Sequence, residues 1–202
     1  MNFLKEMGIS KKIKERVKFW IWKIGLERKI KPPHLVKEKI ILKYKKVYGI
    51  KSLIETGTYE GEMVDAMKKH FQSIFSIELN SVLADNAKKK FSDYRKIKII
   101  QGDSSNELPK ILSQLSTHAL FWLDAHYSGG KTSKGAKETP ILEEIINIIH
   151  HSKKSVILID DADNFGKGDY PSFDALFKII KSNFDMKIKD NIIRITPKNE
   201  NK

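Results

Sequence analysis

The chain has 202 residues, 40% of them hydrophobic, enough for one domain with a sizeable core and too apolar for wholesale disorder. It has no cysteine, which excludes disulfides, thiolate metal sites and a cysteine nucleophile and suits a reducing compartment. The formal charge is +13; thirteen Lys and two Arg against four Glu in residues 1–50 put +11 there and leave +2 for the remainder, so a basic extension (1–49) is set off from the main domain (50–202).

No stretch approaches the roughly 20 apolar residues of a membrane span, and "MNFLKEMGISKK" lacks an apolar leader with a small-residue cleavage site. A cytoplasmic location is the expectation. Residues 9–24 space Ile9, Ile13, Val17, Trp20 and Ile24 as one face of an amphipathic helix whose other face is mostly Lys and Arg. "KPPH" interrupts it, because two prolines remove donors and fix the backbone. A second helix is expected over about 34–47, capped by Gly49.

From Ser52 short apolar runs alternate with helical segments. "SLIE" precedes "GEMVDAMKKHF", "SIFSIEL" precedes "SVLADNAKKKF", and "KIKIIQ" precedes "SNELPKILSQL". "ALFWLD" then leads to "TPILEEIINIIHH" and "SVILIDD" to "PSFDALFKII". Five such units predict an α/β fold: a mostly parallel, Rossmann-like sheet with helices on both faces. The tail "DMKIKDNIIRITP" predicts an antiparallel edge pair turning at Asp190-Asn191. In open sheets of this kind ligands bind at the carboxyl ends of the strands, so the residues ending each strand carry the information.

The first strand ends in "ETGTYEG". Gly57 permits a tight turn and Gly61 close packing of the next helix, although two glycines alone are equally well simple turn chemistry. The second strand ends at Glu78, 21 residues after Gly57, where an acid accepts both hydroxyls of a ribose. The third leads into "QGDSS", where Asp103 either caps the following helix or lies by a base. The fourth and fifth end at Asp124 and at Asp160-Asp161. Neighbouring strands would crowd these three carboxylates, and a hard divalent cation relieves their repulsion; an all-oxygen set suits Mg²⁺, Mn²⁺ or Ca²⁺ rather than zinc. Alternatively Asp160-Asp161 caps the next turn, with its two side chains facing opposite ways. His126, two residues after Asp124, is placed to act as general base, or only to bond a loop.

Together Glu55, Gly57, Gly61, Glu78 and Asp103 resemble the class I S-adenosylmethionine-dependent methyltransferases over roughly residues 50–197. The resemblance implies that Glu55, Thr56, Gly57, Thr58, Tyr59 and Gly61 hold the methionine end of the donor, Glu78 its ribose, and Asp103 with Ser104 its adenine. It adds Asp124 to the donor site. Tyr59 departs from the pattern, since many members have glycine there. A nicotinamide site fits less well, because "GTYEG" lacks the middle glycine and Glu55 would face a pyrophosphate rather than a cationic sulfonium. Asp124, Asp160 and Asp161 resemble the metal ligands of metal-dependent sugar O-methyltransferases of the macrocin type, with Mg²⁺ the implied ion. His126 stands where those enzymes carry an acid as base. "LDAHYSGG…KETPILEE" is similar to bacterial methyltransferases associated with cell-surface glycan genes.

The function expected is therefore methylation of a sugar or polyol hydroxyl with divalent-metal help, on a small or lipid-linked glycan acceptor. A metal-dependent phosphoester hydrolase and a membrane-attached nucleoside-binding protein without catalysis are the alternatives. The long polar loop "YSGGKTSKGAKET" suits a lid. The basic extension either packs on the domain or builds a homodimer interface, or it lays residues 1–30 on an anionic membrane with Phe19, Trp20 and Trp22 at headgroup depth. Nucleic acid ranks last, since no recognised nucleic-acid module accompanies the charge.

Overall fold

A computed structural model describes residues 10–24, 31–124 and 139–198. Two helices precede the sheet, α1 (Lys11–Lys23) and α2 (His34–Val47). There follow β1 (Ser52–Thr56), α3 (Glu62–Met67), β2 (Ser73–Glu78), α4 (Ser81–Lys90), β3 (Ile97–Gln101), α5 (Ser104–Leu112) and β4 (Leu120–Leu123). The chain continues through α6 (Ile141–His151), β5 (Val156–Ile159), a 3₁₀ turn (Ala162–Asn164), α7 (Phe173–Ile180), β6 (Phe184–Lys189) and β7 (Ile192–Pro197).

The seven strands lie in the order β3-β2-β1-β4-β5-β7-β6. β1 to β5 are parallel, and β7 runs antiparallel to both β5 and β6. The strand order reverses between β1 and β4, which opens the crevice where ligands of such sheets bind. The expected edge hairpin is present, and Asp190 and Asn191 both take φ near +55° (56° and 55°), the left-handed pair a tight two-residue turn needs.

Helices cover both faces, which is why the central strands read as unbroken apolar runs rather than alternating ones. All four residues of β4 (LFWL) and of β5 (VILI) are buried. Ile54, Phe121, Leu123, Ile157 and Ile159 pack on one side with α5, α6 and α7. Leu53, Leu120, Trp122 and Leu158 pack on the other with α2, α3 and α4. Hence the basic extension is built into the domain: Val36, Ile40 and Ile41 of α2 belong to the second core. Gly49, at φ 61°, ends α2 as expected and lets Ile50 N–H return to Lys45 O at 3.0 Å.

α1 departs from the sequence expectation. Phe19 and Trp22 are the residues that pack inward, because Lys39 of α2 lies 3.7 Å from the Phe19 ring centroid on that side. Ile13, Trp20 and Ile24 are each more than half exposed, so much of the apolar stripe faces outward.

Candidate functional site

The β1–α3 loop is held by two neighbouring strands. Gly57, Tyr59 and Gly61 all have positive φ (85°, 50° and 69°), which folds the loop back over the end of β2. Gly57 N–H donates to Ile77 O at 2.9 Å, and Tyr59 N–H donates to Glu78 Oε2 at 2.7 Å. Glu78 Oε1 accepts from Asn80 N–H at 3.0 Å. A carboxylate has roughly four acceptor positions, so Glu78 anchors this loop and keeps lone pairs for further donors. Gly61 is obligatory on two counts: its φ is left-handed, and a Cβ there would lie 2.8 Å from Phe91 Cε2.

Glu55 lies under this loop rather than on its surface, at 2% exposure. Ser76 Oγ donates to its Oε2, and Thr58 Oγ1 shares a 2.6 Å bond with the same serine. Burial, reinforced by the charges of Asp124 and Glu78 and opposed by the Ser76 bond, pushes the Glu55 carboxyl up to about 8. It is therefore neutral at pH 7. Asp103, the end of β3's loop, is the cap of α5: its Oδ1 accepts from Ser105 N–H at 2.9 Å and Ser105 Oγ at 2.7 Å. Ser104 follows as a buried residue of α5.

The acids of β4 and β5 stand beside the β1 loop. Asp124 N–H donates to Thr56 O at 3.0 Å and Asp160 N–H to Leu123 O at 3.0 Å, so Thr56, Asp124 and Asp160 continue one ladder past the strand ends. Burial and the nearby Asp124 charge raise the Asp160 carboxyl, against the pull of Lys37. Lys37 of α2 forms an ion pair with Asp160 Oδ2, its Nζ 6.0 Å from the Trp122 ring centroid. Burial pulls the Lys37 ammonium down, but Asp160 and Asp124 outweigh it and hold its pKa above the ordinary value. Lys31 Nζ pairs with Asp161 Oδ2 at 2.8 Å. Asp161 adopts φ 53°, which turns its side chain toward β7, where Asn191 Nδ2 lies 3.5 Å from its Oδ1.

These contacts decide how well a metal fits. The oxygen-only chemistry suits Mg²⁺, and Asp160 Oδ1 is buried with no hydrogen-bond partner among the described residues. Yet among the described residues no three His, Cys, Asp or Glu side chains are gathered to hold a metal ion. The left-handed backbone at Asp161 and the two lysines account for this: they draw Asp160 and Asp161 to different partners. Among the described residues the expected triad shares a rim, with Asp160 and Asp161 engaged by lysines and not gathered around a metal position. His126, the expected base, and the lid segment lie outside the described residues.

Glu144 escaped the sequence reading. It is fully buried on α6, and no hydrogen bond of ordinary geometry reaches either carboxylate oxygen. Burial raises its pKa to about 7, partly offset by the hydroxyls of Ser104 and Thr56 nearby. The Thr56 Oγ1 is itself buried, with no hydrogen bond of ordinary geometry among the described residues. Its position was legible: Ile141, Ile145 and Ile148 mark the buried face of α6, and residue 144 falls on that face. Ser76, Lys31 and Lys37 were missed for a different reason, since only the tertiary fold brings them to the strand ends.

A cavity of about 630 Å³ opens between α1, α2 and α3, lined by Glu15, Arg16, His34, Glu38, Glu62 and Lys90 among others. None of the strand-end acids lines it, so it is separate from the rim just described.

No protein-family model and no curated protein matches the sequence. Solved structures do share the fold. The methyltransferase PaMTH1 of Podospora anserina, solved with S-adenosylhomocysteine bound, superposes with a TM-score of 0.58 at 16% identity over 95% of this chain and 89% of its own. The O-methyltransferase TomG of Streptomyces achromogenes, involved in tomaymycin synthesis and solved with S-adenosylmethionine, gives 0.57 at 9% identity, covering 97% and 95%. An O-methyltransferase of Bacillus cereus, solved with S-adenosylhomocysteine, gives 0.56 at 11% identity, covering 96% of each chain. The architecture is that of the Rossmann-like methyltransferases, with the expected antiparallel edge pair.

Proposed function

We propose that this protein is an S-adenosylmethionine-dependent O-methyltransferase acting on a hydroxyl of a sugar or polyol. The observation that carries the donor half is the β1–α3 loop tied by Tyr59 N–H to Glu78, beside the reversal of strand order and next to Asp103. That constellation offers an acid for ribose and a polar pocket for the amino-acid end, on the fold of proteins solved with this donor or its product. The acidic rim of Asp124 and Asp160 supports the acceptor half, since carboxylates accept hydrogen bonds from hydroxyls.

In the reaction the acceptor oxygen attacks the methyl carbon in line with the C–S bond. The O–C bond forms as the C–S bond breaks, the electron pair goes to sulfur, and a neutral thioether leaves. The hydroxyl proton passes to a base, the role proposed for His126. Holding both reactants on adjacent strand ends supplies alignment, a large part of the rate enhancement. The metal help expected from three acids would compete with Lys31 and Lys37 for the same oxygens. A place in surface-glycan synthesis is part of the proposal.

Calorimetry with S-adenosylhomocysteine tests the donor half: Glu78→Ala should weaken binding by at least ~tenfold, a loss of the size expected for a pair of hydrogen bonds. Absence of wild-type binding at millimolar ligand refutes it. Transfer of a tritiated methyl group to a glycan extract tests the acceptor half.

The outward stripe of α1 supports a second proposal, contact with an anionic membrane surface. Trp20 and Ile13 are exposed on a helix with Lys23 beside the Trp20 ring, 4.7 Å from its centroid. Among the described residues no helix is long and apolar enough to cross a membrane, so contact would be peripheral. Flotation with phosphatidylserine vesicles should carry the wild type and lose Trp20→Ser; a wild type that stays at the bottom removes the proposal, leaving the homodimer.

A further inference from the structure

The acidic rim contains a cation already, and the chain supplies it. Lys37 projects from α2 with its side chain only 20% exposed, and its partner carboxylate on Asp160 is 2% exposed. The Lys37 ammonium contacts Asp160, whose backbone is the next rung of the ladder after Asp124, and the charges of Asp124 and Asp161 act on it as well. Lys31 completes the arrangement at Asp161. Among the described residues, three carboxylates against two ammonium groups leave one net negative charge. One divalent ion in place of the lysines would leave the same.

We propose that Lys37 and Lys31 are the resident counter-charge of this rim, positioning residues that replace the divalent cation, so that the basic extension completes the reaction centre. A rim of three unpaired carboxylates would repel an acceptor oxygen as its proton leaves. Ammonium groups among them remove most of that repulsion. A lysine is held by its own chain and needs no metal supply, but it donates hydrogen bonds instead of coordinating. Lys37 therefore fixes Asp160 in one orientation and leaves Asp160 Oδ1, which has no partner among the described residues, to receive a hydroxyl. The purpose assigned to the rim rests on the methyltransfer reading; the exclusion of metal does not.

The test uses Mn²⁺ as the probe, followed by loss of its free-ion electron paramagnetic resonance signal with the full chain. The wild type should leave Mn²⁺ free up to about 1 mM, weaker than ordinary carboxylate sites. Lys31→Met/Lys37→Met should take up one ion per chain, with affinity raised about 100-fold or more, and Asp160→Asn added to it should abolish uptake. Lys37→Arg should behave as the wild type, because it restores the pair with Asp160. Micromolar Mn²⁺ binding by the wild type that disappears in Asp160→Asn overturns the proposal without needing any lysine variant. A double variant that keeps its far-ultraviolet circular dichroism yet binds no Mn²⁺ also overturns it, since the lysines were then not what excluded the ion. S-adenosylhomocysteine calorimetry on the same samples separates the cases: a protein blind to that ligand fails the methyltransfer proposal while the Mn²⁺ result still stands or falls by itself.

Discussion

Glu144→Gln perturbs one buried carboxyl and keeps its shape. In the folded protein this group has a pKa of about 7 against an ordinary value of 4.5, because burial penalises its charge more than the Ser104 and Thr56 hydroxyls relieve it. Its folded pKa is raised, so its stabilising share is fully present below about 4.5 and is lost as pH rises through about 7. Between those limits the unfolded chain has released a proton that the folded chain still holds. A shift of this size corresponds to about 3 kcal/mol once pH is well above 7. Glutamine does not titrate, so relative to wild type the variant should gain about 2 to 3 kcal/mol between pH 5 and pH 8.5. For a chain of this size that is a change of roughly 5–10 °C in the difference between the two melting temperatures. Differential scanning calorimetry at five pH values reads it directly, with all other titrations cancelling in the difference. A melting-temperature difference that does not move with pH refutes the reasoning. It would mean that Glu144 is ionised and solvated in the folded state.

Gly61→Ala should lower stability by about 1–3 kcal/mol, the cost of a left-handed alanine plus its collision with Phe91, and Phe91→Leu should recover part of it; a melting temperature within about 1 °C of wild type contradicts this. If the methyl donor binds over Glu55, its cationic groups favour the ionised carboxyl. The affinity for S-adenosylmethionine should then tighten as pH rises from 6 toward 8, by up to about tenfold per pH unit, and Glu55→Gln should flatten the dependence. Equal slopes in the two proteins would place the donor's charge elsewhere.

Periodicity alone exposed the architecture: every strand-helix unit read from residues 52–180 is in the structure, and so is the Asp190-Asn191 hairpin. Local rules reach that far because the strands are short, apolar and bounded by turns. Strand ends were also legible, which placed Glu55, Glu78, Asp103, Asp124, Asp160 and Asp161 at one edge. What those side chains do there was less so. Glu55 reads as an acid holding the methionine end of a donor, and only the fold shows that Ser76 and the folded-back loop bury it. Asp161 reads as a second ligand until its backbone proves left-handed. Lys37 reads as one of thirteen lysines in a basic stretch, because its partner is 123 positions away and no local pattern joins them.

That long-range pair links two properties that composition presents as unrelated, a basic extension and an acidic rim. α2 must lie across β4 for Ile40 and Ile41 to be buried, and the same docking carries Lys37 to Asp160. A buried carboxylate whose partner is removed costs several kcal/mol, so the extension and the rim hold each other in place. A metal bound at the rim would have to displace Lys37 and would loosen the helix that carries it. Ion binding and docking of the extension are therefore antagonistic in this chain. In a sheet of the same fold whose leading helix brings no lysine to the rim, the same acids would be available to a metal. Lys31 and Lys37, with the left-handed turn at Asp161, set which cation the strand ends receive.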